Sequence, residues 1–243
     1  MLLFADQIST VSSSILYTNT VQITAGTLDV DQCTFFDGDV ELPMLSCATG
    51  GIMSVAHSTF TQSIISSSNC TLTVEQNLFA ETGDGSIAVD GGLVTIENNL
   101  ISDTGQYPDS VHFNNVAAGS TFRFNTMVDI YTAGERGGTA MFCDSSSSAG
   151  EISSNIFAWG DNTHGGTPCD TQYCLYDDPT QMPANVGNLS ADLSTMFVSS
   201  TDFHLSTSSP AIGRAESNTG VTVDLDGNSR PATNPDIGAY ESP

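Results

Sequence analysis

Three short runs hold the residue types that perform acid–base or ligand chemistry. Ile87-Ala88-Val89-Asp90, Val111-His112-Phe113-Asn114 and Met141-Phe142-Cys143-Asp144 share one pattern: apolar, open, apolar, then Asp or Asn. If each is a strand with Ile87, Val111 and Met141 pointing inward, alternation sends Ala88, His112 and Phe142 outward in one column. Asp90, Asn114 and Asp144 then form the next column. One imidazole thus stands beside two carboxylates. Histidine titrates near neutrality and paired carboxylates can be held at different pKa values, which equips such a patch for general acid–base work on a sugar ring. Asp90, His112 and Asp144 are the candidate catalytic residues, with Asn114, Phe142, Arg123 and Asp109 as candidate ligand contacts. The alternative is an ordinary solvated polar face.

A second constellation, Asp224-Leu225-Asp226-Gly227-Asn228, has the alternating oxygen donors of a calcium loop. Asp224, Asp226 and Asn228 are the candidate metal ligands, and calcium is the one candidate cofactor. The Glu that completes an EF-hand loop is missing from its place, and flanking helices are not expected. The same run therefore also reads as a structural turn, with Arg230 pairing one of its carboxylates. No nucleophile motif, phosphate loop or dinucleotide fingerprint appears.

Residues like these must be carried by something regular, and a recurring phrase supplies it. An apolar residue is followed by two variable residues, a small polar residue, one variable residue and another apolar residue. The best copies begin at Val30, Val55, Val74, Ile96, Phe122 and Ile152, with steps of 25, 19, 22, 26 and 30 residues. Such steps match one turn of a β-solenoid. The fourth position reads Cys33, Ser58, Asn77, Asn99, Asn125 and Asn155, and the sixth Phe35, Phe60, Phe79, Ile101, Met127 and Phe157. Stacked about 4.8 Å apart, the asparagines can form an amide ladder and the apolar residues a core column. Turn glycines precede the β-rich runs, and no apolar stripe at helical spacing lasts beyond a turn. The stretch up to about Ala25 is expected to hold one or two less regular coils. Residues 1–157 are thus assigned to stacked coils.

After Phe157 the phrase is no longer visible, and residues 158–195 read as a long ordered excursion that caps the open end of the coils. Its aromatic residues Trp159, Tyr173 and Tyr176 either offer a platform for a sugar or pack the loop onto the body. Cys169 and Cys174 bracket a short loop and are expected to form a disulfide, while Cys33 and Cys143 are expected to be small buried residues. The remaining residues, 196–243, form a closing segment of the same domain.

Composition narrows the partners. Four Lys+Arg stand against 28 Asp+Glu, a formal charge of −24, and every cation is an arginine. That balance excludes nucleic acid and disfavours a polyanionic substrate held without metal ions. No run reaches the length of a membrane helix, and the first residues lack the basic start of a signal peptide. The chain reads as an excised or processed ectodomain, a single elongated domain expected to be a monomer, whose export signal and anchor lie outside it.

The last forty-odd residues carry a family resemblance. Asp202-Phe203-His204-Leu205, Ser209-Pro210-Ala211-Ile212-Gly213, Asp224 to Pro231, and Pro235-Asp236-Ile237-Gly238-Ala239-Tyr240-Glu241 resemble the end of bacterial secreted right-handed parallel β-helix proteins of the pectate-lyase-like superfamily. The resemblance implies a right-handed parallel β-helix closed by this segment, a secreted or cell-surface location, and glycans as partners. Lysine, a usual base in β-helix polysaccharide lyases, is absent from the chain. The leading expectation is therefore a non-catalytic module for adhesion, surface display or glycan binding. The second is a carbohydrate-active enzyme, a glycoside hydrolase, epimerase or atypical lyase, centred on His112.

Overall fold

The computed structural model describes residues 2–4, 7–17, 20–36, 44–80, 85–102, 110–128, 139–144, 150–159, 164–166 and 169–243. The chain winds as a parallel β-helix with three faces. The first face contains Leu2–Phe4, Val21–Ile23, Leu45–Cys47, Val111–Asn114, Met141–Cys143 and His164–Gly166. The second contains Gln7–Ser12, Gly26–Asp31, Ile52–Ala56, Thr121–Arg123, Glu151–Ser153 and Thr171–Gln172. Two eleven-residue strands, Ile65–Glu75 and Ile87–Glu97, bend from the first face onto the second. The bend occurs at Asn69 (φ 53°) and Gly91-Gly92 (φ 77° and 90°). Only glycine fits at 92, because a Cβ there would lie 2.0 Å from the Cys70 carbonyl oxygen.

The third face is a nine-stranded ladder running from Ile15–Tyr17 to Leu189–Ser190. Its inward residues are the sixth positions of the phrase. Phe35, Phe60 and Phe79 stack with ring centroids 4.7 Å apart at each step, and Phe157 stacks on Tyr176 at 5.2 Å. Coil-over-coil stacking buries what one coil alone would expose, which is why the repeat is needed for stability.

The fourth positions form the amide ladder. Each backbone N–H donates to the side chain one turn on: Ser58 to Asn77, Asn77 to Asn99, Asn99 to Asn125 and Asn125 to Asn155, at 2.8–3.0 Å. The Nδ2 of Asn99 donates to the Val74 carbonyl in the preceding turn, to Glu97 in its own turn, and to Asn125 Oδ1. A buried asparagine is thereby fully employed, which a serine or threonine could not manage with one donor. In each turn the residue before the ladder residue has positive φ: Ser13, Gln32, His57, Gln76, Asn98, Phe124, Ser154 and Tyr173. This corner turns the ladder side chain inward and its own side chain out.

The coil continues beyond the last visible copy of the phrase. Thr171-Gln172 pairs with the second face, Leu175-Tyr176 with the third, and Leu189-Ser190 adds one further strand. Within this extension Cys174 occupies the ladder position. Asn155 N–H donates to its sulfur at 3.4 Å, and Cys174 N–H donates to Asn188 Oδ1 at 2.9 Å. A Cys169–Cys174 disulfide is thus not formed. Cys174 faces the interior as a free thiol, pushed up to about 12 by burial, and Cys169 bonds to Cys143 in the turn above. Cys143 is accordingly a disulfide partner rather than a lone buried residue. Cys47 and Cys70 join another pair of adjacent turns, and Cys33 is free and buried, as its place in the ladder requires.

The closing segment lies along the flank. One short helix, Leu193–Met196, leads into it, and the described chain beyond is irregular. Met196, Phe197, Leu205, Ala211 and Ile237 pack onto Phe124, Val128, Ile156 and Leu175, outward residues of the lower turns, and make a second apolar core. We call this segment the clasp.

Candidate functional site

The first face brings together the column expected from the sequence. Ala88 pairs with His112 and His112 with Phe142, while Asp90 pairs with Asn114. The inward residues Val111 and Met141 are fully buried and Ile87 is 1% exposed, which fixes the outward direction of their neighbours. The His112 and Phe142 rings stack with centroids 4.5 Å apart and planes 28° apart. Ala88 above and Gly165 below bound the stack with almost no side chain.

Beside the stack runs a polar row. Asn114 Nδ2 donates to Asp90 Oδ1 at 2.9 Å, and Asn115 Nδ2 donates to the same oxygen at 3.2 Å. The Asn115 backbone N–H donates to Asp144 Oδ1 at 3.3 Å. Asp144 stays in register because its own N–H donates to the Phe113 carbonyl. Asp90 and Asp144 are two turns apart, a backbone separation of roughly 10 Å, and Asn115 spans the gap. An inverting pair needs its carboxyl groups about 6.5–9.5 Å apart with room for a water between them, whereas here the Asn115 amide and backbone N–H bond to both carboxylates. Asn115 was not among the sequence candidates. Its signal in the sequence was a second amide directly following the strand; in the structure it takes the left-handed conformation at φ 54°.

Arg123 is not part of this patch. It projects from the second face, where its guanidinium donates to Glu97 Oε1 at 2.9 and 2.5 Å and to the Thr219 carbonyl at 3.1 Å, with Glu151 at 3.7 Å. The bend between faces separates residues that are close in sequence, and Arg123, in register with Glu97 on the adjacent turn, pairs with it. Asp109 lies outside the described residues.

The acidic loop is a turn built around one carboxylate. Asp224 is fully buried, and its Oδ1 accepts the N–H groups of Asp226 and Asn228 at 3.0 and 2.7 Å. Its Oδ2 accepts Asn228 Nδ2 and the Glu241 N–H. Four donors on two oxygens leave Asp224 engaged within the protein, and among the described residues no group of three His, Cys, Asp or Glu side chains is placed to hold a metal ion. Arg230 does not pair with Asp224 or Asp226. It bonds to Glu241, to the carbonyls of Asp236 and Gly238, and to Asn98 Oδ1, while its guanidinium covers the Phe124 ring at 4.1 Å. Burial lowers Arg230 and raises the Glu241 carboxyl to about 7, against the pull between them.

Asp226 has a different partner. His204 places Nε2 2.8 Å from Asp226 and Nδ1 2.5 Å from Asp202, with its ring 4.2 Å from Tyr240. Burial alone would pull His204 down, but the two carboxylates override it and hold the imidazole above its usual range. The same contact holds Asp202 below the ordinary carboxylate range. Trp159 and Tyr176 are buried in the core, whereas Tyr173 remains partly exposed.

In comparisons with known proteins, no family model matches the chain and no curated protein matches it.

Proposed function

We propose that the chain is an extracellular or cell-surface β-helix module that binds a glycan on its first face without turning it over. The observation that carries this reading is the His112–Phe142 stack flanked by the Asp90–Asn114–Asn115–Asp144 row. Stacked rings offer an apolar platform for a sugar face, and fixed amides and carboxylates offer partners for its hydroxyls. Gly165 contributes no side chain at the adjoining position, so the column itself does not cover the lower side of Phe142. The net charge of −24 favours a neutral glycan over a polyanionic one. Two disulfides between adjacent turns support an oxidising compartment.

The test is a panel of neutral oligosaccharides, read by calorimetric titration and by product analysis. Binding without products, weakened at least about tenfold by Phe142→Ala with an unchanged melting temperature, is the expected outcome. No binding to any member, or equal binding by the variant, overturns the reading. Product formation lost in His112→Ala would replace it with a carbohydrate-active enzyme using Asp90, His112 and Asp144.

A further inference from the structure

The outward corner residues form a column, and the clasp seals most of it. Gln76 Nε2 donates to the Asp224 carbonyl, Asn98 Nδ2 to the Val223 carbonyl, and Phe124 lies under Arg230. Ser154 accepts the Glu216 N–H on its hydroxyl and the Gly238 N–H on its carbonyl. One turn further, at Tyr173, the seal opens. Here a cavity of about 430 Å³ separates the clasp from the coils, lined by Tyr173, Arg214, Glu216, Ser217 and Asn234 among others. Its volume falls within the range of small-molecule sites.

Two features distinguish this cavity from a packing gap. The Tyr173 ring is set against the bare backbone of Gly187, where a Cβ would come within 2.3 Å of the ring, so the ring is held rather than loose. Arg214 contributes the second. Arg123 and Arg230 are each paired with glutamates, but Arg214 is exposed and has no carboxylate within ion-pair distance among the described residues. In a chain with seven acidic residues for every arginine, an unpaired guanidinium in a cavity is informative. Phe124 and Arg230 show the same combination, an aromatic corner residue and a clasp arginine, closed on itself; Tyr173 and Arg214 present it open.

We propose that this cavity binds a single acidic sugar unit, a pyranose ring bearing one carboxylate. Tyr173 packs against the ring, Arg214 pairs with the carboxylate, and Ser217, Asn234 and Glu216 meet the hydroxyls. Glu216 and the surrounding negative charge restrict the ligand to one anionic group and reject phosphorylated sugars. This site is independent of the His112 face.

Saturation-transfer NMR at roughly 10 mM ligand suits the millimolar affinity expected of one sugar unit. Glucuronate, glucose and acetate are the probes. Glucuronate is expected to bind at least tenfold more tightly than glucose or acetate. Arg214→Gln should reduce it to the level of glucose, and Tyr173→Ser, a residue already found at this corner as Ser13 and Ser154, should abolish the signal; both should keep the wild-type melting temperature. Phe142→Ala should leave glucuronate binding unchanged, which separates this site from the first face. Equal binding of glucuronate by wild type and Arg214→Gln, or no binding by wild type, overturns the proposal.

Discussion

A ladder asparagine is worth more than its single side chain because neighbouring turns depend on it. Removing Asn99 would strand the backbone N–H of Asn77, which donates to Asn99 Oδ1, and would take one partner each from the Asn77 Nδ2 and from the Val74 and Glu97 carbonyls. Buried polar groups left without partners cost about 1–3 kcal/mol each. Asn99→Ala is therefore expected to lose about 2 kcal/mol or more in denaturant unfolding, whereas Asn114→Ala, on the outward face, should lose less than about 1 kcal/mol. The cysteines give a second check. Cys33 and Cys174 occupy ladder positions as thiols, and the other four cysteines are bonded. A thiol reagent should find no reactive group in the native protein and two per chain after denaturation without reductant. Four free thiols, or a peptide joining Cys169 to Cys174, would contradict the assignment.

Within the clasp, His204 ties the turn after Phe197 to the turn after Asp224 through its two carboxylates. Because its folded-state pKa is raised, the bridge stabilises fully below the unfolded value near 6.5 and weakens as pH rises through the higher folded value. Asp202 has the opposite sign: its contribution is present above about 3.8 and is lost as pH falls through its lowered value. The bridge is strongest between these limits. Its groups are half exposed, so screening keeps the effect small. His204→Gln should lower the melting temperature by about 2 °C at pH 5.5 and by clearly less at pH 9. An equal loss at both values would remove the charge from the explanation. Element register was the most legible part of the sequence, since alternation and the phrase placed Ala88, His112 and Phe142 in one column. Arg123 was misplaced because spacing along the chain does not reveal where a strand bends onto another face.

For the whole molecule, the fold could be read from repeated residues because a solenoid writes each structural requirement several times. Legibility failed where a requirement was met by an unusual residue. Thr171-Gln172-Tyr173-Cys174-Leu175-Tyr176 fills all six positions of the phrase, but Cys174 and a tyrosine at the core position hid it among glycines and prolines. The clasp's docking was hidden for another reason: its contacts with Gln76, Asn98, Phe124 and Ser154 span 62–148 residues and leave no local period. Among the described residues those contacts begin at Gln76. Ser13, Gln32 and His57 occupy the same corner higher up, and their turns are joined to the rest through nearest neighbours. Pulled from its first residues in an optical trap, the molecule should yield like a zipper with a lock partway down. Single turns would peel off, each releasing roughly 70–100 Å of chain, until the force reaches Gln76 and the lower turns and clasp give way together in one larger rip.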